Sequence, residues 1–221
     1  EDESRRYVVP SAPGKRFSGD TKVTDLLYAC YRSVGDEEKF QKILNEIKER
    51  YQEIIDGLHL SLSLEEDFSL VEENFKKQIG EEYAASRGEY LNGKIMAAYL
   101  GFTFVDPAEM IRFDGNGQFD GEITEKLVAK KLGSLECAVV PGFYGAKEDG
   151  TIKTFSRGGS DITGSIVAGA IDADLYENWT DVSGFLVTDP RIIDNPKPID
   201  TITYRELREL SYMGATVLHE D

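Results

Sequence analysis

The sequence predicts an α/β protein with a mostly parallel sheet held between helical layers. Three observations carry this. Short apolar runs of strand character alternate with stretches of helical period. Glycine-bearing loops follow several of those runs, as ligand loops do at the carboxyl edge of an open parallel sheet. The 221 residues are 40% hydrophobic, with 11 Tyr, 11 Phe and one Trp, which is enough for a sizeable core.

In chain order, Tyr7–Val9 reads as a buried strand, followed by the Pro/Gly-punctuated loop Pro10-Ser11-Ala12-Pro13-Gly14-Lys15. A helix fits Lys22–Val34, with Val23, Leu26, Leu27 and Cys30 on one face and Gly35 as its stop. Asp36–Leu58 is the cleanest amphipathic helix. Phe40, Ile43, Leu44, Ile47, Tyr51, Ile54, Ile55 and Leu58 make one stripe. Glu37, Lys39, Lys42, Glu46, Lys48, Glu49 and Arg50 make the other face, read as solvated. A further helix covers Leu64–Ile79, capped by Ser63 or Ser61, so residues 36–80 read as a helical insertion. Glu81–Leu100 continues as helix despite Gly88 and Gly93. Each mid-helix glycine costs about 1 kcal/mol relative to alanine, so each needs a reason, such as close approach of a ligand or backbone.

The second half alternates. Strands fit Phe102–Val105 and Met110–Phe113, then a turn at Asp114-Gly115-Asn116-Gly117, then helix Glu122–Leu132. Strand Cys137–Val140 leads into the loop Pro141–Gly145 and a hairpin turn at Glu148-Asp149-Gly150. Strand Thr151–Phe155, helix Asp161–Ile171 and strand Leu175–Trp179 follow. After a turn-rich run, Thr203-Tyr204-Arg205-Glu206 opens the last helix with a capping-box pattern, Gly214 ends it, and Val217-Leu218 begins another strand.

Charge and cysteines narrow the function. With 25 Lys+Arg against 41 Asp+Glu the net charge is −16, which excludes a general binder of nucleic acid or anionic membrane. It leaves room for a small anion in a local pocket. Cys30 and Cys137 stand alone and read as buried free thiols. No apolar run reaches the ~18 residues of a membrane helix and no signal peptide opens the chain, so the reading is of a cytoplasmic protein. The histidines, His59 and His219, are isolated and support neither a triad nor a metal site.

The strongest chemical signal is Ser156-Arg157-Gly158-Gly159-Ser160-Asp161, between a strand and a helix. Paired glycines, a helix start and an arginine fork together suit an anion, while Ser160 and Asp161 also suit a plain capped turn. Gly142–Gly145, Arg157–Asp161 and Thr180–Gly184 are expected at one sheet edge. Asp181 can accept from a ribose hydroxyl and Arg191 can meet a phosphate, although both also suit turns. Glu89 on its helix can hold a cationic amine, although by its position alone it reads as a surface glutamate.

These residues, taken in order, resemble the catalytic domain of aspartokinases, in the amino-acid kinase family. The resemblance rests on Ser156–Asp161, on Trp179-Thr180-Asp181-Val182-Ser183-Gly184-Phe185-Leu186-Val187-Thr188-Asp189-Pro190-Arg191, and on Val8–Lys15 with Val23–Leu27. Ser86-Arg87-Gly88-Glu89-Tyr90-Leu91 and the tail Leu210–His219 fit as well. It implies a three-layer αβα sandwich of the carbamate kinase-like type. It implies transfer of the ATP γ-phosphoryl group to the side-chain carboxylate of L-aspartate, the first step toward lysine, threonine and methionine, with Mg²⁺ held mainly by the nucleotide phosphates. By resemblance Arg157 grips the substrate α-carboxylate and Glu89 its α-amino group, while Thr24 and Ser160 line the same pocket. Asp161, the catalytic-site aspartate, would organise a catalytic lysine. Thr180, Asp181, Leu186 and Arg191 would face ATP, and no protein metal site is implied. The resemblance also implies a homodimer for a full-length parent.

The sequence departs from the family's pattern in three places. The opening Lys-Phe-Gly-Gly strand is absent, Thr216 stands where lysine is frequent, and Leu186 where tyrosine is. Glu1–Arg6, a charged stretch without Met, runs straight into a strand. The expectation is therefore one catalytic domain over residues 1–221, shortened at its start and lacking C-terminal ACT domains, with little activity by itself. The rival readings are an amino-acid kinase with another acceptor and a non-catalytic nucleotide- or amino-acid-binding fragment.

Overall fold

Strand β1 (Tyr7–Val8), β2 (Thr103–Phe104) and β4 (Ala138–Val139) form a parallel ladder in the order β1-β4-β2. Tyr7 pairs with Ala138, and Thr103 pairs with Ala138 from the other side. A second ladder joins β3 (Arg112–Phe113) in parallel to β5 (Tyr144–Lys147), which pairs antiparallel with β6 (Ile152–Thr154). The computed structural model describes residues 4–156, 158–180, 186 and 195–212. These divide into two compact units, Glu1–Asp174 and Leu175–Asp221.

The first unit has helices on both sides of its strands. On one side α1 (Val23–Arg32), α2 (Glu37–Gly57), α3 (Glu65–Lys76) and α4 (Glu81–Leu100) share a core that includes Leu27, Phe40, Tyr51, Phe75 and Leu91. On the other, α5 (Gly121–Leu132) and α6 (Gly159–Ala170) pack Val128, Leu132 and Val167 against Val105, Ile111, Ala138 and Val140. Ala138 and Val140 point to this second core, so the fully buried Val139 between them points to the opposite face. A strand buried on both faces is what a sheet between two helical layers requires. This is the three-layer αβα sandwich.

Local chemistry explains most boundaries. The Asp36 carboxylate accepts from the Lys39 N–H and starts α2, with Glu37 and Glu38 favoured by the helix dipole in the first turn. Asp120 caps α5 in the same way at Ile123. The α3 start is weaker, because Leu64 stands at its cap and Ser63 Oγ lies 3.4 Å from the Glu65 N–H. Gly101, at φ 71°, ends α4 in the left-handed region that disfavours other residues. In the second unit α7 (Tyr204–Tyr212) carries the capping box: Thr203 N donates to Glu206 at 2.9 Å and Glu206 N to Thr203 Oγ1 at 3.3 Å.

Three expectations need correction. Leu175–Trp179 forms no strand; it is an exposed segment, with Leu175 at 74% and Trp179 at 78% exposure. Apolar composition makes a strand only where a neighbouring ladder and a covering layer exist. Conversely, Tyr144–Lys147 is a strand although half of it reads as the Pro141–Gly145 loop. Its Gly145 lets β5 approach β3, because a Cβ there would lie 2.5 Å from the Ile111 carbonyl oxygen. Arg50, assigned to the solvated face of α2, is buried at 4% exposure. Cys30 and Cys137 are free thiols, the first buried and the second partly so.

Gly88 and Gly93 have a packing reason. A Cβ at Gly88 would lie 2.9 Å from Ala12 Cβ, and one at Gly93 only 2.5 Å from Pro141 Cγ. The loops after β1 and β4 thus rest directly on the α4 backbone. Gly93→Ala should therefore destabilise by about 1–3 kcal/mol despite alanine's better helix propensity. Gly57→Ala, in α2 with nothing within 4 Å of its new methyl, should be neutral or stabilise by up to about 1 kcal/mol. Thermal melts of the two variants check this, and equal effects would refute it.

Candidate functional site

Three segments meet around the middle of α4. Residues 83 to 89 of this helix are all buried, including Ser86, Arg87 and Glu89. A run of seven buried residues on a helix means that it is covered on every side. The loop after β1 covers one side at Gly88, where Val23 and Leu27 of α1 also approach. Thr24 follows Val23 directly in the first turn of α1. The Gly142 N–H donates to the Pro10 carbonyl at 3.0 Å, which binds the loop after β4 to the loop after β1.

The same loop is fastened to α6. A Cβ at Gly142 would lie 2.6 Å from Ser160 Cβ and 2.7 Å from Ser160 Cα. A Cβ at Gly159 would lie 2.9 Å from Phe143 Cα. Thr163 uses its hydroxyl twice: it accepts from the Phe143 N–H at 3.1 Å and donates to the Gly159 carbonyl at 2.8 Å. Phe143 holds φ 83°, a strained value for a residue with a side chain. Gly158, at φ 58°, precedes α6 as its cap residue, and Asp161 sits in the first turn. Of the three loops expected at one sheet edge, Gly142–Gly145 meets the described part of Arg157–Asp161, residues 158–161; of Thr180–Gly184, residues 181–184 lie outside the described residues.

Glu89, which reads as a surface residue from its position alone, is buried at 7% exposure, because the loop after β1 covers its turn of α4. Its Oε2 is buried without a hydrogen-bond partner. Burial raises its carboxyl from an ordinary 4.5 to about 7, while its own N–H, the Ala12 N–H and the Arg87 charge favour the ionised form and only partly offset this. Arg87 is held in an aromatic cage, 4.3 Å from the Tyr90 ring centroid, 4.5 Å from Tyr83 and 5.3 Å from Tyr144. Ser86 Oγ accepts from the Arg87 guanidinium at 2.9 and 3.1 Å. Glu89 thus offers an unmet oxygen in a water-poor setting, next to a cation that does not touch it with a hydrogen bond. Such an oxygen suits an ammonium group.

Of the residues singled out from sequence, Thr24, Glu89, Ser160 and Asp161 belong to the first unit. Within it, Glu89 lies beside the loop after β1, and Ser160 lies against the loop after β4. Thr180 and Leu186 belong to the second unit, where Thr180 is exposed and Leu186 forms an antiparallel bridge with Pro198. Arg157, Asp181, Arg191 and Thr216 lie outside the described residues, as do Gly214 and Val217-Leu218. Sequence reasoning passed over Thr163, and named Phe143 and Pro141 only as members of their loop. A threonine four residues after Gly159 reads as an ordinary helix residue, and only its tertiary bond marks it.

Comparison with known proteins gives this geometry a family. The model of the "Amino acid kinase family" matches residues 7–221. Aspartokinase 3 of Bacillus subtilis (strain 168) is 40% identical over 238 aligned positions, covering 100% of this chain and 52% of that protein. The crystal structure of Clostridium acetobutylicum aspartate kinase superposes with a TM-score of 0.92 at 50% identity, over 100% of this chain and 50% of the other. E. coli aspartokinase III in complex with aspartate and ADP gives 0.79 at 26% identity, over 97% of this chain and 51% of the other. The chain spans about half the length of these relatives. With a family match over nearly its whole length, the chain belongs to the amino acid kinase family.

Proposed function

We propose that the chain is the catalytic domain of an aspartate kinase. A carboxylate oxygen of the L-aspartate side chain attacks the γ-phosphorus of Mg-ATP. The bond from that phosphorus to the β–γ bridging oxygen breaks, giving 4-phospho-L-aspartate and ADP. The observation that carries this reading is the unpartnered Oε2 of Glu89, buried beside the Ala12 amide. The 40–50% identity to two aspartate kinases supports it, as does a structural relative that binds aspartate and ADP.

Roles follow from chemistry and resemblance. Glu89 takes the substrate ammonium, which supplies its missing partner and stabilises its charge. Arg157 takes the α-carboxylate with a bidentate fork. Thr24 and Ser160 line the pocket, and Asp161 orients a catalytic lysine. Thr180, Asp181, Leu186 and Arg191 face the nucleotide. Mg²⁺ enters with ATP on its phosphates and disperses the developing charge. Residues 36–80 form an insertion within one catalytic domain. The protein is cytoplasmic, works as a homodimer, and opens the route to lysine, threonine and methionine. Among the described residues no helix is long and apolar enough to cross a membrane.

Turnover tests the reading directly. A protein carrying this chain together with a Lys-Phe-Gly-Gly strand should consume ATP with L-aspartate and not with glutamate, acetylglutamate or a nucleotide. Turnover with another acceptor alone would select the rival amino-acid kinase reading. Arg157→Ala should raise the KM for aspartate at least about 100-fold, the loss expected for a charged bidentate contact. The 221-residue chain by itself should bind aspartate and Mg-ATP calorimetrically with little turnover; robust turnover would overturn that expectation.

Glu89 also sets a pH dependence. Its folded value of about 7 lies above the ordinary 4.5, so without ligand its contribution to stability is fully present below about pH 4.5 and is lost as pH rises through 7. The loss approaches about 3 kcal/mol, an upper figure for a group this buried. Aspartate needs the ionised form, so its affinity should rise through pH 7 and then level off. Glu89→Gln should bind at least about 10-fold more weakly, with a flat profile, and should be the more stable protein at pH 8 without ligand. Calorimetry and thermal melts from pH 5.5 to 8.5 measure both; an unchanged profile in the variant would remove Glu89 from the site.

A further inference from the structure

Two neighbouring residues of α2 reach into the site from the helical insertion. Tyr51 is fully buried, and its hydroxyl donates to the Gly88 carbonyl at 2.8 Å. That carbonyl is in the residue before Glu89. Arg50 points the other way around the helix, into the loop between β1 and α1. Its guanidinium donates to the Gly14 carbonyl at 2.9 Å and to the Thr21 carbonyl, and it pairs with Asp20 at 3.1 Å. Both members of this ion pair have side chains 4–5% exposed.

The loop they hold has no regular structure of its own between Val9 and Lys22. Its internal order comes from Asp20, which accepts from the Arg16 backbone N–H at 3.0 Å and from its guanidinium at 3.1 Å. The Arg16 hydrogen bonds, ahead of the Arg50 charge, keep the Asp20 carboxyl well below the usual carboxylate range, so it stays ionised. Arg16 also reaches Glu53, one turn along α2 from Arg50. At one end of this loop Ala12 rests on Gly88 and aims its N–H at Glu89. At the other end Thr24 begins α1.

A buried arginine–aspartate pair is a poor source of net stability, because desolvation of both charges offsets their attraction. Its use is to favour one arrangement over others. Here Gly14, Asp20 and Thr21, the partners of the Arg50 guanidinium, all lie on the loop, and the hydroxyl of the next residue along the helix ends on the backbone of the α4 turn that carries Glu89.

We propose that Arg50 and Tyr51 are positioning residues for the amino-acid pocket: the helical insertion sets the spacing between the Ala12–Thr24 loop and Glu89, and through it the affinity for the substrate ammonium. The inference rests on the aspartate kinase reading for its ligand, and on the clamp geometry for itself. Neither residue touches substrate.

The test uses the 221-residue chain, with L-aspartate as calorimetric ligand and amide exchange over residues 12–20 as a second readout. Arg50→Met, which keeps the bulk and removes the donors, should weaken aspartate binding at least about 10-fold and speed exchange in the loop. Arg50→Lys should recover part of both. Leu44→Ala, a core truncation six residues earlier in α2, should lower the melting temperature without changing the aspartate dissociation constant. If Arg50→Met does not fold, Tyr51→Phe, which removes one hydroxyl, should still weaken binding about 3- to 10-fold. Wild-type affinity in the Arg50→Met or Tyr51→Phe variant would overturn the proposal, and so would equal affinity losses in Leu44→Ala. If the wild-type chain itself fails to bind aspartate, the aspartate kinase reading fails separately. Loop exchange then decides the clamp: faster exchange in Arg50→Met supports it, and unchanged exchange overturns it.

Discussion

The site depends on how closely two loops can approach the backbone of one helix. The loops after β1 and β4 lie on α4 at Gly88 and Gly93, at distances that leave no room for a methyl group. The cost is two helix-weakening glycines, about 1 kcal/mol each. The gain is that Ala12, Pro141 and the α4 backbone form one dry layer, and Glu89 is trapped within it. Without that contact the carboxylate would meet water, its titration would return toward an ordinary carboxyl, and its unmet oxygen would be solvated.

Burial in this layer also sorts the charges of a strongly acidic chain. The chain carries a net charge of −16, yet among the described residues two arginines beside the pocket, Arg87 and Arg50, are buried. Arg87 is satisfied by ring faces and a serine hydroxyl, so its charge acts on Glu89 without neutralising it in a contact pair. Arg50 is satisfied by carbonyls and Asp20. A guanidinium suits both settings, because it is planar, weakly hydrated and always charged. Lysine would fit neither cage nor clamp as well.

Much of this was legible in the sequence where the signal is local. Asp36 before an amphipathic stripe marks α2, and Thr203 with Glu206 marks α7, because caps act over three residues. The glycines in α4 announce a close approach, though not what approaches. Long-range effects were harder to see. Arg50 sits among Glu46, Lys48 and Glu49, and helical periodicity places it with them; its burial comes from a loop some 30 residues earlier in the chain, whose carbonyls give it partners. The Tyr144–Lys147 strand is hidden by two nearby glycines, of which Gly145 allows the strand's close approach to Ile111 and Gly142 the approach of α6. Leu175–Trp179 shows the reverse, strand-forming residues in a segment that makes no ladder. Of the candidate site, Glu89, Ser160 and their loops were visible as motifs, whereas Thr163 and Tyr51 act through hydroxyl contacts that no spacing encodes.

The glycine contacts carry a consequence for how such a chain can change over generations. Gly88 meets Ala12, Gly93 meets Pro141, and Gly142 meets Ser160. A larger residue at one member of a pair is tolerated only if the other retreats. For Gly142 the neighbour includes backbone, so retreat means moving α6. Single substitutions are therefore closed at this position, while the first two contacts can drift only as matched pairs. Across descendants of this sequence, residues far apart in the chain should thus vary together, and the pocket's inner wall should be inherited as a block.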